Sequence, residues 1–223
     1  MQDQDRSFTP SKAFMDGLKP GASKLKNKII SDLINSAKQL ERAEIGIDRF
    51  RFVCREIEKA LVNWGLRDST SCKKGCSYCC FQQVTITRSE ALTLAGHVKM
   101  MNHFKRHQII TILQRQSEAK DEKEWVDLPP YYKKCAFLEN NLCSIYSFRP
   151  ITCRTFFVVS PPEICKPREN SKTPPKHALQ SYSSMAEYIH TAFTGCEGEG
   201  YYEGTRRVLK SIPQAILIEL GLA

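Results

Sequence analysis

The chain has 223 residues, a formal net charge of +9, 41% hydrophobic residues and 26% charged residues. These values describe an ordinary globular protein with one domain, or at most two small ones, and no apolar stretch reaches the roughly 20 residues that span a bilayer. The basic excess is spread along the chain, as on a solvated surface, so nucleic acid is not an expected partner.

The first 22 residues are polar and contain the breakers Pro10, Pro20 and Gly21. They lack the hydrophobic region of a signal peptide and show no periodicity. We therefore expect residues 1–22 to form a flexible tail and residues 23–223 to form a single helical domain. We also expect a cytoplasmic protein, because a reducing compartment keeps ten cysteines as thiols or ligands.

Two helices, or one helix kinked near Gly46, are predicted between residues 25 and 64. Apolar residues recur there at intervals of three and four, as one face of a helix requires. Cys54 lies on the apolar face of the second helix. We predict that it is a core thiol and not a ligand.

Residues 72–80 read Cys-Lys-Lys-Gly-Cys-Ser-Tyr-Cys-Cys and place four thiols within nine residues. The polar neighbours make core packing a poor explanation. Thiolates this close repel one another unless a cation neutralises them, and short spacings of this kind are typical of metal sites. A disulfide-bonded loop and an unliganded loop are the alternatives. The four candidate ligands are Cys72, Cys76, Cys79 and Cys80.

Extended chain at residues 84–87 is predicted to lead into a helix that Thr87 or Ser89 caps. A further helix is predicted over 109–126 and is ended by Pro129 and Pro130. His103 and His107 are four residues apart, which is the spacing of a metal pair. We predict that both histidines are solvated, since so many thiols are available.

A second group of cysteines follows in a segment rich in turns. Asn140-Asn141 is a turn signal, and Arg149-Pro150 opens a predicted short helix. Residues 158–176 are predicted to be a loop. The candidate ligands in this group are Cys135, Cys143, Cys153 and Cys165.

The remaining chain is predicted to be helical. An amphipathic helix is expected over 179–193, a helical piece around Val208 and Leu209, and a final helix over 212–220 that Pro213 starts. Cys196 lies alone among glycine and glutamate residues and has no assigned role. The expected fold is mainly α, a helical domain around an irregular cysteine-rich centre over residues 72–165, with few or no short strands.

The cysteine pattern resembles that of the YkgJ-type cysteine-cluster family. The matching features are C-x3-C-x2-C-C at 72–80, C-x-F-L at 135, C-x-I-Y at 143, R-P-x-x-C-R at 149–154, and one later cysteine. That family is described as a zinc- or iron-chelating domain and is similar in part to flagellin lysine-N-methylases. The resemblance implies metal chelation but supplies no reaction.

Zinc and a [4Fe–4S] cluster both take four thiolates, so the residues leave the metal open. Cys79 and Cys80 are adjacent and tend to point different ways, which favours two centres, or one centre with spare thiols. Residues 72–79 also resemble the three-cysteine motif of radical SAM enzymes, but the alternating strands and helices of a barrel are absent. Three polar residues are candidates to orient a ligand or to support the centre: Tyr146, Arg149 and Arg154.

Three functions follow from this pattern. The first is a cytoplasmic metal-chelating protein that binds an iron–sulfur cluster, slightly favoured, or zinc. The second is an iron–sulfur-dependent enzyme such as a protein lysine methyltransferase, the one case in which S-adenosylmethionine would bind. The third, a basic zinc module that binds nucleic acid or a protein, ranks last because no recognition helix or aromatic stacking row is present. Whether the protein is an enzyme, and which protein or small molecule it meets, stays open.

Overall fold

The computed structural model describes residues 35–36, 38–40, 42–63, 71–156, 161–165, 193, 199–203 and 206–223. Helices dominate this part of the chain, as predicted. They are α1 (Ile47–Asn63), α2 (Arg88–Met100), α3 (His103–Ser117), α4 (Glu122–Asp127), α5 (Pro130–Lys133), α6 (Ile151–Thr155) and α7 (Ile212–Leu220). The strands are only two or three residues long: β1 (Thr85–Ile86), β2 (Leu138–Glu139), β3 (Leu142–Cys143), β4 (Tyr201–Glu203), β5 (Arg206–Val208) and β6 (Lys210–Ser211).

The main core lies where α2, α3 and α7 pack together, and α1 also packs against α2. Leu94 of α2, Leu113 of α3 and Ile216 of α7 are fully buried in one cluster. Phe137 and Ile145, from the segment with the second cysteine group, belong to the same cluster. Apolar burial of this kind is the main stabilising term in folding. It also fixes the cysteine-rich segment to the helices.

The start of α2 follows from a local sequence signal. Thr87 is the N-cap, and its side chain accepts a hydrogen bond from the Glu90 backbone N–H. The Glu90 carboxylate accepts one in return from the Thr87 N–H at 2.7 Å. This reciprocal capping box satisfies two N–H groups that have no partner within the helix.

The C-terminal helix is attached to the chain that follows the first cysteine run. Strands β1 and β6 pair antiparallel, with Thr85 opposite Ser211 and Ile86 opposite Lys210. Ser211 caps α7, and Gly221 ends it in the left-handed region at φ 71°, where glycine has no steric penalty. This pairing joins parts of the chain that are far apart in sequence.

A buried ion pair secures α1 and residue 199 to the start of α2. Arg49 and Glu199 are 4% and 0% exposed, and their charged atoms lie 3.1 Å apart. Glu199 also accepts hydrogen bonds from the backbone and the hydroxyl of Ser89. Breaking such a pair leaves a buried charge without compensation, which is strongly destabilising. The sequence analysis did not anticipate this pair.

The predicted break at Gly46 is present. Gly46 has φ 145°, a conformation that side chains rarely adopt, and α1 begins at the next residue. Phe50, Val53 and Ile57 form the buried face of α1, as its periodicity predicts. The described residues between 35 and 42 are also helical.

The single helix predicted over 109–126 is wrong. Helix α3 begins earlier, after the N-cap Asn102, and ends at Ser117. Asp121 then caps a new helix by accepting a hydrogen bond from the Glu124 N–H at 2.8 Å. Trp125 of that helix is buried in a small separate cluster. A second capping residue and its own apolar anchor therefore divide the predicted helix in two.

The helical piece predicted around Val208 and Leu209 is also wrong. Val208 ends strand β5, which pairs antiparallel with β4 so that Tyr201 lies opposite Val208. Aromatic and β-branched residues stabilise such cross-strand pairs. A helix as short as the three residues of β5 would be unstable, so the strand pairing is favoured.

Several predictions fall on residues outside the described ranges. They concern the tail at 1–22, the first part of the helix from residue 25, most of the loop at 158–176, the helix at 179–193 except Phe193, and Cys196. Phe193 is helical and fully buried. Among the described residues, no helix is long and apolar enough to cross a membrane.

Candidate metal centre

The first cysteine run folds as two successive tight turns. The Cys76 N–H donates to the Lys73 carbonyl at 2.9 Å, and Gly75 between them has φ 92°, which favours glycine. A 3₁₀ turn follows over Tyr78–Phe81, in which the Cys80 N–H donates to the Ser77 carbonyl at 2.9 Å. Two turns within nine residues bring the four thiols of this run close together.

Helix α4 holds the second of these turns in place. The Trp125 indole N–H donates to the carbonyl of Phe81, the last residue of the turn, at 3.0 Å. Trp125 is only 4% exposed. A buried aromatic side chain with a satisfied donor is a rigid support, so the end of the cysteine run has a fixed position.

The second cysteine group starts directly beside the first. The Cys135 N–H donates to the Cys80 carbonyl at 2.7 Å. Strands β2 and β3 then form a hairpin in which Leu138 lies opposite Cys143. Its turn residues Asn140 and Asn141 have φ values of 50° and 60°, as in the tight turns that connect hairpin strands. The predicted turn at these asparagines is therefore present.

Cys153 lies on the short helix α6, and Glu90 caps this helix from a distance. The Ile151 N–H donates to one Glu90 carboxylate oxygen at 2.7 Å, while the other oxygen takes part in the capping box of α2. One buried carboxyl group thus joins the starts of two helices. Burial raises the pKa of Glu90 to about 7. The sequence analysis missed this contact, although the T-x-x-E pattern at 87–90 signals half of it.

Cys165 ends a 3₁₀ turn over Pro162–Cys165, which packs against the turn over Tyr78–Phe81. Burial raises the pKa of the Cys165 thiol, and the charges of Cys72, Cys76 and Cys79 raise it further. Charges act in this way only over short distances. Cys165 therefore lies with the first cysteine run.

The other three late cysteines lie with one another and with Cys79. Burial raises the pKa of Cys135 to about 12, and the charges of Cys143 and Cys79 contribute. Burial also raises the pKa of Cys153 well above its ordinary value, with contributions from Cys135, Cys79 and Cys143. Cys79 thus interacts with both groups of thiols, and its own pKa is raised first by a hydrogen bond with Cys80 and then by burial.

The structure therefore brings the eight predicted cysteines into one connected group, in which each member interacts with at least one other. All eight are free thiols and partly buried. Among the described residues, no three His, Cys, Asp or Glu side chains already converge on one point as a finished metal site. By chemistry, a group of thiols fits zinc or iron, because both take thiolates as ligands. The raised pKa values mean that a metal would have to displace protons on binding.

Cys54 differs from these eight. It lies on α1, and burial raises its pKa to about 11 against the opposing charge and hydrogen bond of Arg154. The other charges acting on Cys54 are those of Glu90 and Glu58. The charged groups that act on Cys54 are therefore an arginine and two carboxyl groups. Its role as a non-ligand stays a prediction.

His103 and His107 lie away from the cysteines' interactions, on the exposed side of α3. Their rings are nearly parallel, at 6° and with 6.4 Å between the centroids. His107 borders an open groove that Phe104 and Tyr131 also line. Both histidines are exposed, as predicted.

The three polar candidates beside the centre differ from one another. Arg154 is 7% exposed, and its Nε donates to the Arg149 carbonyl at 3.0 Å. A terminal nitrogen of Arg154 also meets Glu58 of α1 at 3.4 Å. The Arg149 guanidinium instead stacks on the half-exposed Tyr146 ring, with its Cζ 4.1 Å from the ring centre. Arg154 thus binds the loop to α1, whereas Arg149 and Tyr146 form a stacked pair beside it.

One comparison finds a family whose model matches this segment. The model of the CxxCxxCC family, described as a "Putative zinc- or iron-chelating domain", matches residues 71–180. No curated protein and no solved structure matches the chain. The matched segment contains all eight gathered cysteines, and residues 71–180 of this chain are similar to the CxxCxxCC family.

Proposed function

We propose that this protein binds metal through the thiolates of its eight gathered cysteines, as a cytoplasmic metal-chelating protein. The observation that carries the proposal is the contact between the two cysteine groups. The Cys135 N–H donates to the Cys80 carbonyl at 2.7 Å, although the two residues are far apart in sequence. Metal chelation explains why eight partly buried free thiols lie in one group.

The interactions among the thiols support a division into two sets of four. Cys165 interacts with Cys72 and Cys76, and Cys153 interacts with Cys135 and Cys143. Cys79 takes part in both patterns, and its neighbour Cys80 is hydrogen-bonded to it. We propose that one member of this adjacent pair completes each set. Four thiolates complete a zinc site or hold one [4Fe–4S] cluster.

We place an iron–sulfur cluster before zinc, because of the partial resemblance to flagellin lysine-N-methylases. When bound, a cluster would supply electron transfer or a Lewis acid, whereas zinc in a closed thiolate site would supply structure alone. The chain's own contribution is the same in both cases. It holds the thiols in place through the Gly75 turn, the hairpin at 138–143 and the Glu90 cap of α6.

Purification without oxygen tests the choice of metal. An iron–sulfur protein is brown, absorbs broadly in the visible range and releases sulfide in acid, whereas a zinc protein is colourless and contains zinc. Cys54→Ser is the matched control, because this thiol is also partly buried but interacts with Arg154 and Glu90. A wild-type chain purified with neither metal, and unable to take up either under reducing conditions, would overturn the proposal.

The cytoplasmic assignment rests on the thiols. Nine cysteines in the described part of the chain are free, and a reducing compartment keeps them so. Thiol labelling immediately after cell lysis, followed by mass spectrometry, tests this point. Disulfides among the cysteines of residues 72–165 would contradict it.

A further inference from the structure

Arg149 carries a buried donor atom beside the gathered cysteines. Its Nε is buried and finds no hydrogen-bond partner among the described residues. Buried polar groups in folded proteins are almost always hydrogen-bonded, so an exception requires an explanation. The stack on Tyr146 restricts the orientation of the guanidinium. The Nε–H group is thus held in a fixed place without a partner.

The positive charge of Arg149 acts on two cysteines that belong to different parts of the chain. Burial raises the pKa of Cys143, and the Arg149 charge opposes this effect. At Cys79 the hydrogen bond with Cys80 and burial raise the pKa, and the Arg149 charge again acts in the opposite direction. The guanidinium therefore lies close to both the first cysteine run and the hairpin.

The other arginine of the R-P-x-x-C-R motif is already occupied. Arg154 also acts on Cys143, but its donors reach the Arg149 and Ser147 carbonyls and the Glu58 carboxylate. These contacts hold the loop that carries Arg149. Arg154 is therefore a structural residue, and Arg149 is the arginine with a donor still to be satisfied.

A centre of four thiolates and a divalent metal carries net negative charge, which is costly in a partly buried place unless a cation or hydrogen-bond donor offsets it. Arginine suits this task because its donors are charged and rigidly arranged. We infer that Arg149 is a positioning residue that donates its Nε–H to a cysteine sulfur of the metal-loaded centre, at Cys79 or Cys143. This inference rests on the proposed function and assigns a role within the same site.

Cobalt(II) is a suitable probe, because it accepts the ligands of a zinc site and its thiolate bonds give charge-transfer absorption. Reduced, metal-free chain is titrated with cobalt, and both the Kd and the energy of the charge-transfer band at saturation are measured. The variants are Arg149→Met, which removes the donor and the charge, and Arg149→Lys, which keeps the charge but has no donor at the Nε position. Arg51→Met is the matched control, because Arg51 is exposed and pairs only weakly with Asp48 at 3.5 Å.

We expect Arg149→Met to weaken cobalt binding by about 10- to 100-fold, the usual effect of removing a group that supports a metal ligand. The charge-transfer band should move to lower energy, because a thiolate without its hydrogen bond gives up an electron more easily. Arg149→Lys should bind more tightly than Arg149→Met and show a band shift in the same direction. Arg51→Met should match the wild type in both readouts. If Arg149→Met does not fold, the lysine variant supplies the decisive band energy.

Two results would overturn the inference while leaving the proposed function intact. One is a wild-type Kd and band in both Arg149 variants. The other is weakened binding with an unchanged band energy at saturation, which would assign Arg149 a structural role only. A wild-type chain that gives no thiolate–cobalt absorption would overturn the inference, and the proposed function falls with it only if the same chain also takes up neither iron nor zinc under reducing conditions.

Discussion

Gln116 fixes the chain just before Cys135 to helix α3. Its side-chain amide donates to the Tyr132 carbonyl at 2.8 Å and to the Lys134 carbonyl at 2.7 Å, and the residue is 1% exposed. Gln116→Leu keeps a side chain of similar size but removes both donors. The variant therefore separates hydrogen bonding from packing at this position.

The expected cost follows from these two hydrogen bonds. A buried polar group that loses its partner costs about 1–3 kcal/mol. Tyr132 and Lys134 are only partly buried, so water recovers some of this loss, and we expect about 2–4 kcal/mol in total. That is a large share of the roughly 5–15 kcal/mol by which a typical domain is stable. The free energy of unfolding of Gln116→Leu should fall by this amount.

Urea unfolding measures the effect, and the midpoint should fall by about 1 M or more. Gln114→Leu is the matched control, because Gln114 lies on the same helix with an exposed side chain. It should unfold at nearly the wild-type midpoint. Equal midpoints for Gln116→Leu and Gln114→Leu would refute the argument that the two carbonyls depend on Gln116.

Three further predictions concern Glu90, Gly75 and the metal. Burial raises the pKa of Glu90 from 4.5 to about 7, so the folded state holds this proton more tightly and stability falls as the pH rises through that window. With the same metal content in both proteins, the free energy of unfolding of Glu90→Gln relative to wild type should therefore rise by up to about 3 kcal/mol between pH 5 and pH 8. Urea unfolding measures this difference, and parallel pH curves for the two proteins would contradict the prediction. Gly75→Ala should lose about 1 kcal/mol, since φ is 92° and no neighbouring atom crowds the added methyl group; an unchanged thermal midpoint would rule out the strain. Removing metal should open residues 70–82 and 130–166 to protease before α2 and α7, because metal binding contributes to folding, and identical cleavage maps with and without metal would exclude this coupling.

Local signals explain what the sequence predicted correctly. The Thr87 cap, the break at Gly46 and the turn at Asn140 and Asn141 each depend on residues within a few positions of one another. The short helix with Cys153 is another example, since Pro150 precedes it directly. The mainly helical fold follows from apolar periodicity, which is also a local property.

Contacts between distant parts of the chain could not be predicted in this way. The Glu90 carboxylate reaches the Ile151 N–H across 61 positions, and the pairing of Thr85 with Ser211 spans more still. The local pattern around Val208 favours a helix, because the strand partner of Val208, Tyr201, lies in another segment. The candidate cysteine ligands could be predicted because short spacings between cysteines are a specific signal of metal sites. The division of the arginines into an occupied Arg154 and an unsatisfied Arg149 required the structure.

Metal content per chain is the measurement that tests the central claim most directly. Wild-type protein, Cys143→Ser, Cys165→Ser and the control Cys54→Ser are purified without oxygen and assayed for iron, zinc and sulfide. With two thiol sets, Cys143→Ser and Cys165→Ser should each lose about half of the metal, whereas Cys54→Ser should keep all of it. Equal metal content in all four proteins, or no metal in the wild type after reconstitution, would contradict the account.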